Sequence, residues 1–362
     1  MRYEPDYTVV PGETLGERLI ELGMDQRELA MRLEISTKCV SQIINGKAPI
    51  THKTAIGLER VTGVPSHVWN NLEMNYRAAL ASIADQDQQI SKADHDWLRR
   101  IPTAELVRRG AIDCPSNKDA IFKAVLEFFG VVSRQAWNAL WAEYREAATW
   151  RRSSCFESHP GPTATWLRLG ELEAQRIRCA LFDKAVFQKA LVEIRKLTVS
   201  DLKECQPELV RLCSQAGVAV VFVPSIRGCP ASGVTRWLTP DKALIQLSLR
   251  YKSDDHFWFS FFHEAGHILH DPKKLITIDE PSQDYDEVEA RANSFAANHL
   301  IPAAQEEAMR QCRTEQSIKS FAKRIGIAPG IVVGRLQHDG QIRRNQFNHL
   351  KRRFQMEATN AG

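Results

Sequence analysis

The chain has 362 residues, 43% hydrophobic and 25% charged, a composition that excludes disordered, fibrous and collagen-like classes and, at about 100–200 residues per domain, predicts two or three domains. Its longest apolar stretches, 218–223 and 257–262, are about a third of the ~20 residues a membrane helix needs, and the acidic opening hexapeptide lacks the apolar segment of a signal peptide; no membrane span is expected, and the expected compartment is the cytoplasm. The net charge of +4 is too small to mark a nucleic-acid binder, and the first 80 residues carry 9 basic against 10 acidic side chains, so DNA contact must rest on local placement of charge.

Three zones follow in chain order, and together they predict an α+β protein. Residues 1–80 read as short helices broken by turns, with apolar spacing at Leu15, Leu19, Ile20 and Leu22, then Leu29, Ala30 and Leu33, then Val40, Ile43 and Ile44. Residues 81–200 are a helical connecting region, with helices expected over 120–129, 133–148 and 170–197 and a loop by composition at 153–162. From 201 to 362 the periodicity changes: 218–223 and 243–247 look like strands, and 254–270 and 284–300 like helices. Eight cysteines stand singly, at 39, 114, 155, 179, 205, 213, 229 and 312, which points to reduced thiols rather than a disulfide framework.

Within the first zone, Asp25 and Glu28 have capping-box spacing, so a helix is expected over 26–33, and Ser36 is a good N-cap for a second that ends at Asn45-Gly46. Val40, Ile43 and Ile44 then face inward. Thr37, Lys38, Ser41, Gln42 and Asn45, with Lys47 just beyond, are left outward as donors and acceptors for base edges or phosphates. No acid lies between Glu34 and Glu59, whereas Lys38, Lys47, His52 and Lys53 do. These residues, with Pro11-Gly12-Glu13 and the closing segment from Thr62 to Leu72, resemble the XRE/Cro-type helix-turn-helix and more closely its HigA-type antitoxin subset, over about 70 residues. The resemblance implies a homodimer on a palindromic double-stranded operator. Glu34 stands where such turns often carry Gly, at a cost of up to about 1 kcal/mol if its φ is positive. The bland alternative is a helical bundle used only for protein contacts.

In the third zone, His263-Glu264-Ala265-Gly266-His267 is a His-Glu-x-x-His motif in a helical run. Histidines four apart lie about 40° apart around a helix, so both imidazoles can meet one cation, and Zn2+ suits that donor type. A third ligand is required. With Glu289-x-x-Ala292-Asn293 and Leu300-Ile301-Pro302, the motif resembles the ImmA/IrrE metallopeptidases, which implies His263, His267 and Glu289 as metal ligands and Glu264 as the catalytic base. Glu287 stands as the alternative ligand. Asn293, in place of the Asp of many zincins, is a candidate to hydrogen-bond a ligand from behind. The resemblance also implies that strand 243–247 pairs with an extended substrate. His270, Tyr285 and His338 are weak candidates for an oxyanion donor, and Cys229 for a regulatory thiolate latch on the metal.

Residues 325–336 resemble that family's closing helix. Beyond them Arg343, Arg344, Lys351, Arg352 and Arg353 form an acid-free basic run, which reads as a solvated helix face or, more sharply, a nucleic-acid contact. The combined expectation is a DNA-binding, antitoxin-like regulator fused to a zinc endopeptidase that acts on a partner protein such as a repressor or toxin. Two alternatives stand beside it: a non-catalytic antitoxin that sequesters a toxin, and a peptidase whose head only docks protein partners.

Overall fold

A computed structural model describes residues 9–86, 90–114, 117–149, 160–248, 253–273, 276–279 and 287–353. The chain divides into two compact units, Met1–Ile90 and Ser91–Gly362. The first holds α1 (Pro11–Glu21), α2 (Gln26–Leu33), α3 (Thr37–Ile44), α4 (His52–Thr62) and α5 (Ser66–Gln86) around a core that includes Leu15, Leu19, Leu29, Val40, Ile43, Leu58 and Trp69. Ile20 departs from the apolar spacing of α1 and is 81% exposed, because it lies a 100° step around the helix from Leu19.

Local chemistry sets the ends of these helices. The Asp25 carboxylate accepts from the Glu28 N–H at 2.7 Å. The reciprocal half of the expected capping box is not formed: the Glu28 carboxylate takes the Arg32 guanidinium one turn on, at 2.5 Å, a charge-assisted bond that outcompetes a backbone N–H at an exposed cap. Ser36 accepts from the Cys39 N–H, starting α3. Between them Glu34 adopts φ 55°, ψ 40°, the left-handed region where a side chain is strained. Gly12 allows α1 to cross α3, since a Cβ there would fall 2.0 Å from the Ile44 carbonyl oxygen.

The second unit opens with the helices Lys92–Leu98, Thr103–Arg108, Lys118–Phe129, Arg134–Thr149, Pro160–Arg176, Lys184–Lys196 and Leu202–Gln215. Two expectations are corrected here. Pro160 to Pro162 begin a helix instead of closing a loop, because proline fits a first helical turn, where no N–H is required; 150–159 lie outside the described residues. The helix expected across 170–197 is interrupted after Arg176, where the Ala180 and Phe182 N–H groups bond Ser214 and Asp241 carbonyls and Asp183 caps the next helix.

The sheet contains β1 (Val218–Phe222), β2 (Gly233–Thr239), β3 (Lys242–Leu247) and β4 (Thr277–Asp279) in the order β1-β3-β2-β4. β1 runs parallel to β3, and β2 antiparallel to β3 and β4. β3 is therefore paired along both edges. It cannot take an extended substrate, which overturns the role expected for 243–247. One sheet face, with Val218, Val220, Ala243, Ile245 and Leu247, joins the main core with the helices Leu202–Gln215 and Asp254–His270. The other is covered by Pro160–Arg176, whose Trp166 donates its indole N–H to the Val223 carbonyl at 2.9 Å and accepts from Gln246 at 2.7 Å. Cover on both faces is why β1 reads as an unbroken apolar run. No disulfide joins the seven described cysteines.

Candidate metal centre and nucleic-acid interface

The helix Asp254–His270 carries the His-Glu-x-x-His motif and buries Phe257, Trp258, Phe261 and Phe262 in the core, which turns His263, Glu264 and His267 toward β2 and the helix Glu287–Leu300. Gly266 allows the two helices to approach, since a Cβ would stand 3.3 Å from the Ala292 Cα. At the N-terminus Asp254 and Asp255 complement the helix dipole although both are buried. Their counter-ions come from the tail: Lys351 meets Asp255 at 2.6 Å and Arg352 meets Asp254 at 3.4 Å. Those two basic residues thus serve the fold, whereas Arg343, Arg344 and Arg353 are exposed.

One ligand atom each from His263, His267 and Glu289 lies within 4.8 Å of the others. The two Nε2 atoms are 2.9 Å apart, and the Glu289 carboxylate stands 3.2 Å from His263 Nε2 and 3.5 Å from His267 Nε2. Both Nδ1 atoms are engaged behind: His263 with Asn293 Oδ1 at 3.0 Å, His267 with Asp271 Oδ2 at 2.7 Å. Arg291 steadies Asp271 at 2.8 Å. With Nδ1–H donated outward, both Nε2 lone pairs converge beside a carboxylate, an arrangement that is repulsive by itself and suited to a divalent cation. Two imidazoles and one carboxylate are a donor set that fits zinc with a position left over for water.

Glu264 is fully buried beside this cluster. Its Oε2 accepts from the Thr235 hydroxyl at 2.6 Å, and β2 can pass only because residue 233 is glycine: a Cβ there would fall 2.3 Å from Glu264 Oε1. Glu287 is exposed, whereas Glu289 turns in toward the histidines. Cys229 is buried and is not part of the converging group. His270 is exposed against Phe295, His338 is exposed and paired with Asp339, and Tyr285 lies outside the described residues. Asp271, Arg291, Thr235 and Gly233 were not singled out from sequence. Asp271 had a readable signal, one turn beyond His267; Thr235 and Gly233 lie on a strand whose pattern does not announce itself.

In the first unit, α3 presents Thr37, Lys38, Gln42 and Asn45 to solvent, with Lys47 exposed beyond its end, Ser41 half-buried, and Val40 and Ile43 beneath. The Asn45 amide donates back to the Ser41 carbonyl at 2.7 Å. No acidic side chain interrupts this face.

A helix-turn-helix formed by α2 and α3 in one unit and a sheet-backed two-histidine, one-carboxylate cluster in the other define a helix-turn-helix regulator joined to a zincin-like domain. Comparison with known proteins agrees: residues 15–69 match the helix-turn-helix family and residues 227–337 the IrrE N-terminal-like peptidase domain (Peptidase_M78). The uncharacterised HTH-type transcriptional regulator YddM of Escherichia coli (strain K12) is 33% identical over 93 residues, 26% of this chain and 90% of that protein. Antitoxin HigA of Pseudomonas aeruginosa, solved with its promoter, is 29% identical over 24% of this chain and 98% of its own, with a TM-score of 0.22. A HigA-family antidote protein from Coxiella burnetii is 31% identical over 23% and 98%, with a TM-score of 0.21. The chain belongs to the HTH-type transcriptional regulators through its N-terminal domain and carries a Peptidase_M78 domain of the IrrE/ImmA kind. No described helix is long and apolar enough to cross a membrane.

Proposed function

We propose that this protein is an operator-binding, antitoxin-like regulator whose C-terminal domain is a zinc-dependent endopeptidase acting on a partner protein. The observation that carries the reading is the convergence of His263, His267 and Glu289 within 4.8 Å, with buried Glu264 alongside. His263, His267 and Glu289 would hold the ion, which when bound supplies a Lewis acid and an acidified water. Glu264 takes a proton from the attacking water and returns it to the leaving amine. Thr235 orients the Glu264 carboxylate through Oε2. Asn293 and Asp271 fix the imidazoles so that each offers Nε2 inward. At the other end of the chain, Thr37, Lys38, Ser41, Gln42, Asn45 and Lys47 are the proposed contacts of a homodimer with operator DNA, Lys38 and Lys47 to phosphate and Gln42 to a base edge.

The decisive experiment co-expresses the chain with the products of its neighbouring genes and follows their cleavage, with zinc content measured alongside. Wild type is expected to bind one zinc and cleave one partner; Glu264→Gln is expected to keep the zinc and lose cleavage. Equal inactivity of both against every neighbour would leave a metal-stabilised antitoxin. Gel shifts on the upstream DNA test the regulator half, with Lys38→Ala expected to weaken all sequences alike and reduce the salt slope, and Gln42→Ala to relax specificity. Absence of any specific shift overturns it.

A further inference from the structure

Glu264 has no accessible surface, and His263 and His267 are only 3% and 2% exposed. A general base must meet the water it deprotonates, so the cluster as folded is closed. Part of its cover is β2. Gly233 and Thr235 lie against Glu264 on one side of that strand, and Val234 between them faces the other way. The inner edge of β2 is paired with β3, so its outer edge is the place beside Glu264 where an extended peptide can add a strand.

That place is taken by β4. The two strands pair antiparallel, Gly233 opposite Asp279, Val234 opposite Ile278 and Thr235 opposite Thr277, so β4 covers the same three residues of β2 that frame the base. Among the described residues, strand pairing on that edge stops at Thr235. Ahead of β4 the chain is fastened. Ile276 is buried, and Lys273 donates to the Pro240 carbonyl at 2.6 Å, its ammonium 4.2 Å from the Trp237 ring centroid and 5.7 Å from that of Phe182. The segment that leaves the metal helix is thus pinned where β2 ends and reaches Gly233 by running back along it. A ladder of three residue pairs at a sheet edge is short, and β2 offers the same main-chain bonds to any strand that replaces it.

We propose that β4 is a built-in competitor of the substrate: it occupies the β2 edge over Glu264, holds the site closed, and gives way to an extended polypeptide segment that pairs with Gly233, Val234 and Thr235 in its place. The device rests on the peptidase reading, whose site it closes. It selects an extended segment of a partner protein, since a helix has already spent its main-chain groups on itself and has none to give the ladder.

Calorimetric titration of the zinc-loaded full chain with acetyl-Ala-Ala-Ala-hydroxamate provides the test, with acetohydroxamate as a control that meets the metal without bringing a strand. Thr277→Pro and Ile278→Pro, made separately, remove N–H groups that point to opposite edges of β4, so one of the two breaks the ladder to β2. That variant is expected to bind the tripeptide hydroxamate at least about tenfold more tightly than wild type, because apparent affinity is reduced by the fraction of molecules in which the site is open. Acetohydroxamate is expected to gain less. The converse is a lock: Val234→Cys with Ile278→Cys places two thiols directly opposite, on the side of β2 away from Glu264. Its oxidised form is expected to lose tripeptide binding and to recover it on reduction with a phosphine, a comparison made within one protein. Unchanged tripeptide affinity in both proline variants, or equal affinity of the locked and reduced forms, overturns the proposal; acetohydroxamate binding then leaves the metal site standing. Absence of acetohydroxamate binding in every form overturns the peptidase reading and the competitor with it.

Discussion

The two imidazoles of the proposed metal cluster depend on groups that would not themselves touch an ion. His267 is oriented by Asp271, itself held by Arg291, and His263 by Asn293. Asn in place of a carboxylate behind His263 gives a weaker acceptor, so the Asp271–Arg291 pair carries more of the orientation. Asp271→Ala is expected to lower zinc affinity by about 10–100-fold, measured by competition with a chelating dye, while the unfolding midpoint of the metal-free chain changes little. The pair Glu287 and Glu289 shows what sequence could and could not separate. Two carboxylates two residues apart point about 200° apart on a helix, so one must face away, but which one depends on where the helix lies against the histidines. The position of the Glu287–Leu300 helix chooses Glu289.

At the scale of elements, the short turn between α2 and α3 carries its own strain. Glu34 sits at φ 55° as the last cap of α2, a conformation that glycine adopts freely. Glu34→Gly is expected to raise stability of the first unit by about 0.5–1 kcal/mol, read as a higher denaturant midpoint, because relief of the left-handed strain outweighs the added chain entropy. The opposite sign is expected at the start of the metal helix. Lys351 is the counter-ion of Asp255, whose other carboxylate oxygen is buried and has no hydrogen-bond partner among the described residues. Lys351→Ala leaves that carboxylate buried and unpaired, and is expected to cost about 3 kcal/mol in urea unfolding. Of the basic tail, Arg343, Arg344 and Arg353 are exposed as a solvated face would have them, whereas Lys351 and Arg352 serve as counter-charges to buried aspartates, because a run of lysines and arginines has the same sequence whether its partner is water, phosphate or a buried aspartate. Helix limits were more legible. The helix 254–270 is found as expected, since a dense apolar pattern ends there at Asp271-Pro272, whereas β2 and β4 escaped notice: Gly233–Thr239 mixes Arg, Trp and Thr without clean alternation, and β4 is three residues long.

For the molecule as a whole, acid acts through buried histidine. His299 lies between Phe262 and Phe295 and meets the Leu191 carbonyl at 3.1 Å; burial holds its pKa below the ordinary 6.5. An imidazole lowered in the fold is neutral there while the unfolded chain takes up a proton. Its contribution is therefore complete above about pH 6.5 and is lost as pH falls through the lowered folded value. Thermal unfolding with a chelator present, to remove the separate effect of zinc release, is expected to show a midpoint that declines from pH 7 toward pH 5; His299→Gln is expected to flatten the decline.

The sequence by itself determined the chemistry available and its local frame. Histidines four apart, a glutamate between them, capped short helices and an acid-free recognition face are all local relations, and the geometry of one helix is enough to read them. Only the tertiary structure decided what those groups meet. That β3 is central and closed to substrate, that Thr235 and Gly233 frame Glu264, that Lys351 and Arg352 neutralise Asp255 and Asp254, and that buried Arg236 meets Glu171 all depend on contacts between segments distant in sequence. Such contacts follow from which faces pack together, and no periodicity within a single segment records its partner.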